Sequence, residues 1–215
     1  MITVIDMNMG NLQSVLEAFR CVGTQVMVTT QGVDIERSSA IVLPGVGAFG
    51  DGMANLRERG LVEPLRHLVL ERKKPLLGIC LGMQLLAEEG EEHGVHKGLG
   101  LIRGHVVKLK PTEKTCRIPN MGWCDITVVN RQSALFAQVQ DGESFYFAHS
   151  YYMRCSHPQD VAATIEYGEP ITAAIERGNI FGIQFHPEKS QEAGLDLLSS
   201  FFNFVVKNSV RQERR

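Results

Sequence analysis

Residues 75–89 read PLLGICLGMQLLAEE, which is an apolar run, a Gly-x-Cys-x-Gly turn and the beginning of a helical pattern. This order predicts a buried strand that ends sharply at Cys80 and is followed by a helix, the setting of a nucleophile elbow with Cys in place of Ser. Gly78 and Gly82 allow the backbone to bend and bring the thiol to the strand tip. The Leu81 N–H then points to the place where an oxyanion would form.

A second stretch, residues 182–188, reads GIQFHPE and supplies the other groups that a thiol nucleophile needs. His186 follows an apolar run as a candidate base, and Glu188 can orient its ring. A lone Cys after an apolar run is usually a small core residue, and a lone His is usually a structural residue. The glycine-flanked Cys80 together with a His-Pro-Glu motif favours the catalytic interpretation.

The composition excludes several classes of function. The chain has 215 residues, of which 44% are hydrophobic, and a formal net charge of −2. Such a balance predicts a globular protein without a nucleic-acid surface or a polybasic membrane patch. No apolar stretch reaches the length of a membrane span, and the first six residues resemble a strand rather than a signal peptide. The five scattered cysteines show no zinc-type spacing. We therefore expect a cytoplasmic protein that uses no metal or cofactor.

Strand and helix patterns alternate along the chain, which predicts an α/β fold with a largely parallel, mixed central sheet flanked by helices. We expect one domain over residues 1–206 and a polar, basic, frayed tail over residues 207–215. Residues 102–154 favour shorter, antiparallel strands. The other predicted strands are Ile2–Asp6, Gln25–Thr29, Ala40–Leu43, Leu76–Ile79 and a hairpin of Ala173–Glu176 with Ile180–Gln184. The predicted helices are Asn11–Val22, one centred near Leu56, Leu61–Glu71 and Leu195–Val206.

Three candidate functional segments each follow a predicted strand. They are the Pro44–Gly47 turn, Cys80 and His186. Active sites of open α/β sheets lie at the carboxyl ends of the strands. We therefore expect these segments to meet at one edge of the sheet.

The chain resembles the class I, or triad, glutamine amidotransferases, which have a flavodoxin-like fold. The resemblance runs from Ile2 to about Val206 and rests on three motifs: LPGVG at 43–47, GICLGMQ at 78–84 and QFHPE at 184–188. More narrowly, the chain resembles the glutaminase subunits of imidazole glycerol phosphate synthases. That match rests on GNLQS at 10–14, GVGAF at 45–49, PNMGW at 119–123, YFAHSY at 146–151 and HPEKS at 186–190.

The resemblance implies a catalytic triad of Cys80, His186 and Glu188 that hydrolyses glutamine to glutamate and ammonia. It places the oxyanion hole at Leu81 and at the turn that contains Val46 and Gly47, and it implies that this turn rearranges before it donates. The residues that it assigns to glutamine are Gln84, Glu92, Ser150 and Tyr151. For Glu92, an ordinary polar surface position is the alternative.

The resemblance also implies a partner. Ammonia would pass, without reaching bulk water, to a (β/α)8-barrel cyclase subunit in a heterodimer that serves histidine biosynthesis. The residues that it places on the docking face are Asn11, Trp123, Tyr146 and Lys189. Burial in the core is the alternative for Trp123.

Two positions depart from the narrower pattern. Met7 and Asn8 stand where an aromatic residue and a glycine are frequent, and Cys124 stands where a polar residue is common. Both departures lie near the expected docking face and not in the triad. They therefore do not affect the predicted chemistry, but they leave the identity of the partner undecided. The alternatives are a paralogous glutaminase for another acceptor such as a surface-sugar amidination pathway, a non-catalytic α/β binding module, and a cysteine peptidase.

Overall fold

The computed structural model describes residues 1–112 and 116–213. Its helices are α1 (Leu12–Cys21), α2 (Gly32–Arg37), α3 (Phe49–Glu58), α4 (Val62–Leu70), α5 (Leu81–Gln84) and α6 (Gln191–Glu213). The first seven strands are β1 (Ile2–Ile5), β2 (Val26–Thr29), β3 (Ala40–Gly45), β4 (Leu76–Cys80), β5 (Glu89–Gly90), β6 (His96–Lys97) and β7 (Gly104–Lys108). The others are β8 (Asn120–Asp125), β9 (Thr127–Val128), β10 (Ser144–His149), β11 (Tyr151–Cys155), β12 (Val161–Glu166), β13 (Pro170–Arg177) and β14 (Ile180–Ile183).

The central sheet has eight strands in the order β2-β1-β3-β4-β14-β13-β12-β9. The strands from β2 to β14 are parallel, and those from β14 to β9 are antiparallel. This arrangement confirms the predicted mixed sheet and the predicted hairpin, which β13 and β14 form. β4, the strand that ends at Cys80, lies at the centre with β3 on one side and β14 on the other.

Two apolar cores cover the two faces of the sheet. Successive side chains of a strand point to opposite faces, so Val4 and Val42 belong to one core, while Ile5 and Ile41 belong to the other. The first core packs against α1 and α6, and the second packs against α3 and α4. A sheet buried on both faces holds its strand ends rigidly, and these ends carry the functional residues.

Two smaller sheets lie beside the central one. β8 and β10 form an antiparallel ribbon, and β11, β7, β5 and β6 form a four-stranded sheet. Most of these pairings are antiparallel, as predicted for residues 102–154, although β5 runs parallel to β7. The ribbon carries the segment around Trp123 and the segment around Tyr146.

Three helix predictions differ from the structure. The helix after Cys80 is only α5, of four residues. The backbone N–H groups of residues 99–102 donate hydrogen bonds to the carbonyl groups of residues 85–87, so these carbonyls do not continue the helix. α2 was not predicted, since it is short and buries only Ile35. α6 begins at Gln191 and continues to Glu213, beyond the predicted end at Val206 and into the segment expected to be a frayed tail. No helix of the described part of the chain combines the length and the apolarity that crossing a membrane requires.

Candidate active site

Cys80 ends β4 with a backbone conformation typical of a nucleophile elbow. Its φ is 54° and its ψ is −110°, a combination that costs a non-glycine residue roughly 1–3 kcal/mol. The chain can make this bend because Gly82 lies against β3, where a Cβ atom would stand 1.6 Å from the Leu43 carbonyl oxygen. The Gly-x-Cys-x-Gly pattern therefore has the role in the fold that its residue types predict.

The neighbours of β4 bring the other functional segments to Cys80. β3 pairs with β4 so that Gly45 lies opposite Cys80, and the Val46–Gly47 turn follows at once. β14 pairs with β4 so that Ile183 lies opposite Ile79, and His186 follows three residues later. The three segments therefore meet at the carboxyl ends of adjacent strands, as expected.

His186 and Glu188 form a buried pair beside Cys80. Nδ1 of His186 lies 2.8 Å from Oε1 of Glu188, and the two side chains are 5% and 4% exposed. This contact fixes the ring, because the other nitrogen, Nε2, then faces away from the carboxylate. The backbone holds the pair in place through Ser190, whose Oγ donates to the His186 carbonyl over 2.6 Å and accepts from the Tyr146 N–H over 3.0 Å.

The electrostatics of the pair favour a charged imidazole. Burial by itself lowers the pKa of His186, but hydrogen bonds with Cys80 and Glu188 raise it from 6.5 to about 10. The ring therefore carries a proton at neutral pH. A positive charge next to a sulfur atom favours its thiolate form, which is the nucleophile.

An open cleft of about 380 Å³ begins at Cys80. It is large enough for an amino-acid substrate. All eight residues predicted for the nucleophile, the oxyanion hole and glutamine binding line it, namely Val46, Gly47, Cys80, Leu81, Gln84, Glu92, Ser150 and Tyr151. Their roles remain predictions, but the chain brings them to one place.

Two elements of the cleft can hold an oxyanion. Leu81 is the first residue of α5, so its N–H has no partner within the helix. On the other side, Gly47 has a φ of 106°, a conformation that favours glycine. Val46 is 43% exposed and lines the cleft. Peptide groups in such a turn can rotate at low cost, which the predicted rearrangement requires.

Two of the residues predicted to bind glutamine are hydrogen-bonded to the frame of the cleft. Oε2 of Glu92 accepts the N–H of Phe49 over 2.9 Å at the beginning of α3, which leaves Oε1 for a ligand. Nε2 of Gln84 donates to the Tyr151 carbonyl over 2.8 Å. This hydrogen bond connects Glu92 to the helix that follows the Val46–Gly47 turn, and its contact with glutamine stays a prediction.

Three of the four predicted docking residues lie together. Trp123 faces Tyr146 across the ribbon with ring centroids 6.1 Å apart, and Nζ of Lys189 lies 5.6 Å from the Tyr146 ring. Trp123 is 49% exposed, so the alternative of a buried core Trp is wrong. We call Trp123, Tyr146 and Lys189 the aromatic face.

The fourth docking residue, Asn11, lies elsewhere on this side of the molecule. It caps α1, accepting the Ser14 N–H over 3.4 Å. It lines a small cavity behind the Val46–Gly47 turn, which His186 and Glu188 also line. No hydrogen bond among the described residues joins Asn11 to the aromatic face, but the shared cavity places it beside Glu188, the residue before Lys189.

Sequence reasoning did not single out three buried polar residues near Cys80. They are Gln184, His149 and Asn120, which are 0%, 6% and 3% exposed. Burial lowers the pKa of His149 to about 4, so its ring is neutral. The sequence gives one weak indication of them. Each is a polar residue within a motif that was quoted for its similarity to the family: QFHPE, YFAHSY and PNMGW.

Comparison with known families matches residues 3–207 to the family described as Glutamine amidotransferase class-I. The match covers nearly the whole chain and includes the Cys80 and His186 segments.

Curated relatives agree with this match. The imidazole glycerol phosphate synthase subunit HisH 2 of Nitrobacter winogradskyi is 44% identical over 207 residues, which cover 94% of this chain and 98% of the relative. The imidazole glycerol phosphate synthase subunit HisH 1 of Campylobacter jejuni is 43% identical over 201 residues, with 94% and 98% covered.

The fold is also found among solved structures. A chain in the structure of PurLQS from Thermotoga maritima superposes with a TM-score of 0.73 at 21% identity, covering 95% of this chain and 98% of that chain. This likeness concerns the fold and confirms the predicted α/β architecture.

Proposed function

The chain belongs to the class I glutamine amidotransferase family, and from this premise we propose that it is the glutaminase subunit of an imidazole glycerol phosphate synthase, in histidine biosynthesis. It hydrolyses glutamine and delivers the ammonia to a separate synthase subunit. The observation that carries the proposal is the buried set of Cys80, His186 and Glu188 at the end of a cleft that fits an amino acid. The names of its relatives, which are subunits of imidazole glycerol phosphate synthases, support this choice of acceptor.

The first half of the reaction forms a thioester. The Cys80 thiolate attacks the carboxamide carbon of glutamine, and the carbonyl oxygen takes the negative charge. The protonated His186 then gives its proton to the amide nitrogen, so the C–N bond breaks and ammonia leaves. Glu188 stabilises the imidazolium through the 2.8 Å contact with Nδ1.

The second half releases glutamate. Water attacks the thioester carbon while the neutral His186 accepts a proton from it, and the C–S bond breaks. The product forms as the carboxylic acid, which keeps the second proton of the water and loses it to solvent to become glutamate. The Cys80 thiolate and the imidazolium with which the cycle began are restored.

The oxyanion requires two donors in this scheme. Leu81 supplies one N–H, and the Val46–Gly47 turn supplies the other after it rearranges. Losing one donor of this kind costs about 3 kcal/mol of transition-state stabilisation. The turn can therefore act as a gate, since a population shift of that size changes the rate roughly a hundredfold.

The partner is a synthase subunit, which we expect to be a (β/α)8-barrel cyclase. The aromatic face is its proposed docking surface, because exposed Trp and Tyr residues are favoured anchors of protein interfaces. The backbone N–H of His186 donates to the backbone carbonyl of Tyr146 over 2.9 Å, so the aromatic face is connected to the triad through the main chain.

The test is a glutaminase assay of the chain alone, with its synthase partner, and with partner and acceptor ligand together. We expect little glutamate from the isolated chain and a strong rise when both are added. If the full complex releases no glutamate, the chain is a binding module and the proposal fails. If glutamate forms but its nitrogen does not reach the synthase product, the acceptor belongs to another pathway.

A further inference from the structure

A buried amide lies against the sulfur of Cys80. Gln184 follows β14 where this strand runs beside β4, and it is fully buried. Its Nε2 lies 3.8 Å from the Cys80 Sγ, a hydrogen-bonding distance for sulfur, and its Oε1 lies 3.1 Å from Nε2 of Gln84. A side-chain amide can present either its oxygen or its nitrogen to a neighbour, so its orientation decides what it does to the sulfur.

The Tyr151 carbonyl determines that orientation. A carbonyl oxygen only accepts hydrogen bonds, so the group of Gln84 that lies 2.8 Å from it must be the amide nitrogen. The same nitrogen faces Gln184, which must therefore present its oxygen to Gln84. The remaining group of Gln184, its NH2, is then the one that faces Cys80.

The side chain of His149 also contacts the Tyr151 carbonyl. Nδ1 of His149 lies 2.9 Å from the Tyr151 oxygen and so carries the ring proton. Its Nε2 then accepts from the Asn120 amide over 3.1 Å. The Tyr151 carbonyl is thus held from both sides within the protein, which keeps it available as the fixed acceptor for Gln84.

We propose that Gln184 is a positioning residue of the glutaminase reaction, donating a hydrogen bond to the Cys80 sulfur in an orientation that the Tyr151 carbonyl imposes through Gln84. This inference rests on the proposed function. A neutral donor stabilises a thiolate more than a thiol. Unlike His186, it has no proton to give to the leaving ammonia, so it directs the sulfur without taking part in proton transfer.

The experiment replaces Gln184 by Met, which has a similar shape and no donor. Iodoacetamide alkylation of Cys80 in the full-length chain is followed against pH and mapped by mass spectrometry. The titratable groups around this site are unchanged in the variant: His186, Glu188, His149, Glu92, His93 and Tyr151. We expect the alkylation curve to move to higher pH by about one unit, a tenfold smaller thiolate fraction at pH values below the midpoint.

Kinetics in the complex with the synthase partner give a second readout. Gln184→Met should lower kcat about tenfold and leave KM for glutamine nearly unchanged, because ordering the sulfur affects the chemical step. Gln184→Glu presents an acceptor to the sulfur and should move the alkylation curve further than Gln184→Met. Ser200→Ala is the matched control, since Ser200 is buried and its hydroxyl has no partner among the described residues; it should leave the curve unchanged.

An alkylation curve of Gln184→Met that coincides with that of the native chain would overturn the proposal. If Gln184→Met does not fold, Gln184→Asn serves instead, since it keeps the amide but withdraws it by one methylene, and the same shift is expected. Alkylation does not depend on glutamine hydrolysis. A native complex with the synthase partner and the acceptor ligand that makes no glutamate would therefore refute the proposed function, whereas an unshifted curve would refute only the role of Gln184.

Discussion

Two residues of this site have a backbone conformation or a degree of burial that is normally unfavourable in a folded protein. Cys80 has a positive φ, and His149 is an imidazole that is only 6% exposed. Such strain and burial persist only where the surrounding structure imposes them. Both residues are therefore sensitive indicators of whether the site is assembled as described.

His149 makes a pH prediction. Its pKa falls from 6.5 to about 4 in the folded protein, first because of burial, with the positive charge of His186 adding to it. The unfolded chain then binds more protons than the folded one between these values, so stability is lost as the pH falls from 6.5 toward 4. Between pH 7 and pH 5 this residue should remove about 2 kcal/mol from the free energy of unfolding.

Urea unfolding of the native chain and of His149→Gln at pH 7 and pH 5 measures the contribution of His149 to the free energy of unfolding. Gln can still donate to the Tyr151 carbonyl and accept from Asn120, but it does not titrate. The loss of stability on acidification should be about 2 kcal/mol smaller in the variant. Equal losses in the two proteins would mean that His149 is not a buried neutral imidazole.

The elbow is the element on which the site depends most. It fits only because Gly82 has no side chain where α5 crosses β3. Gly82→Ala should therefore cost more than about 4 kcal/mol or prevent folding, because the contact is with backbone that cannot move aside. Chemical denaturation or soluble yield measures the effect.

Gly60→Ala is the control for this prediction. Gly60, unlike Gly82, has a positive φ, of 64°, and a Cβ atom there would meet nothing within 4 Å. Gly60→Ala should therefore lower the free energy of unfolding by about 1–2 kcal/mol, the cost of a left-handed backbone conformation for a residue with a Cβ atom. If both variants lose the same stability, the close approach of Gly82 to β3 costs no more than an ordinary backbone strain, and the explanation of the elbow is wrong.

Elements with strong periodicity or flanking glycines could be predicted from the sequence. β4, α1 and the β13–β14 hairpin follow from apolar runs and turn residues, and their bounds are close to those expected. α5 could not be predicted, because its length is set by hydrogen bonds from residues 99–102. The helical pattern after Cys80 describes apolar burial, which the turns that follow α5 satisfy equally well.

At the scale of the whole molecule, a backbone hydrogen bond from His186 to Tyr146 links the site to one exposed surface. The aromatic face combines an exposed Trp ring with the Lys189 ammonium over Tyr146. Trp123→Ala should weaken binding of the synthase partner by about 2 kcal/mol, or roughly thirtyfold in Kd, as expected for an interface anchor. Titration of the partner, followed by the rise in glutaminase rate, measures the change.

Val206→Ala is the matched control for an exposed apolar side chain. Val206 is 45% exposed and lies beside the beginning of β1, at the opposite edge of the sheet from Cys80. It should leave partner binding unchanged. Equal binding by Trp123→Ala and the native chain would place the docking surface elsewhere.

Only part of the site could be predicted, because some of its contacts join residues that are far apart in the sequence. Motifs mark Cys80, His186 and Glu188, whose residue types are themselves diagnostic. Gln184 and Gln84 act on partners 104 and 67 residues away, and only the folded sheet creates those contacts. Ordinary amide side chains carry no local signal of such contacts.

The most direct test of the central claim is Cys80→Ala in the complex with the synthase partner. Synthesis from glutamine should disappear, because the only attacking sulfur at the elbow is gone. Synthesis from added ammonium should continue at the native rate, because the acceptor site lies on the partner. A Cys80→Ala complex that still uses glutamine at a near-native rate would contradict the assignment of this residue as the nucleophile.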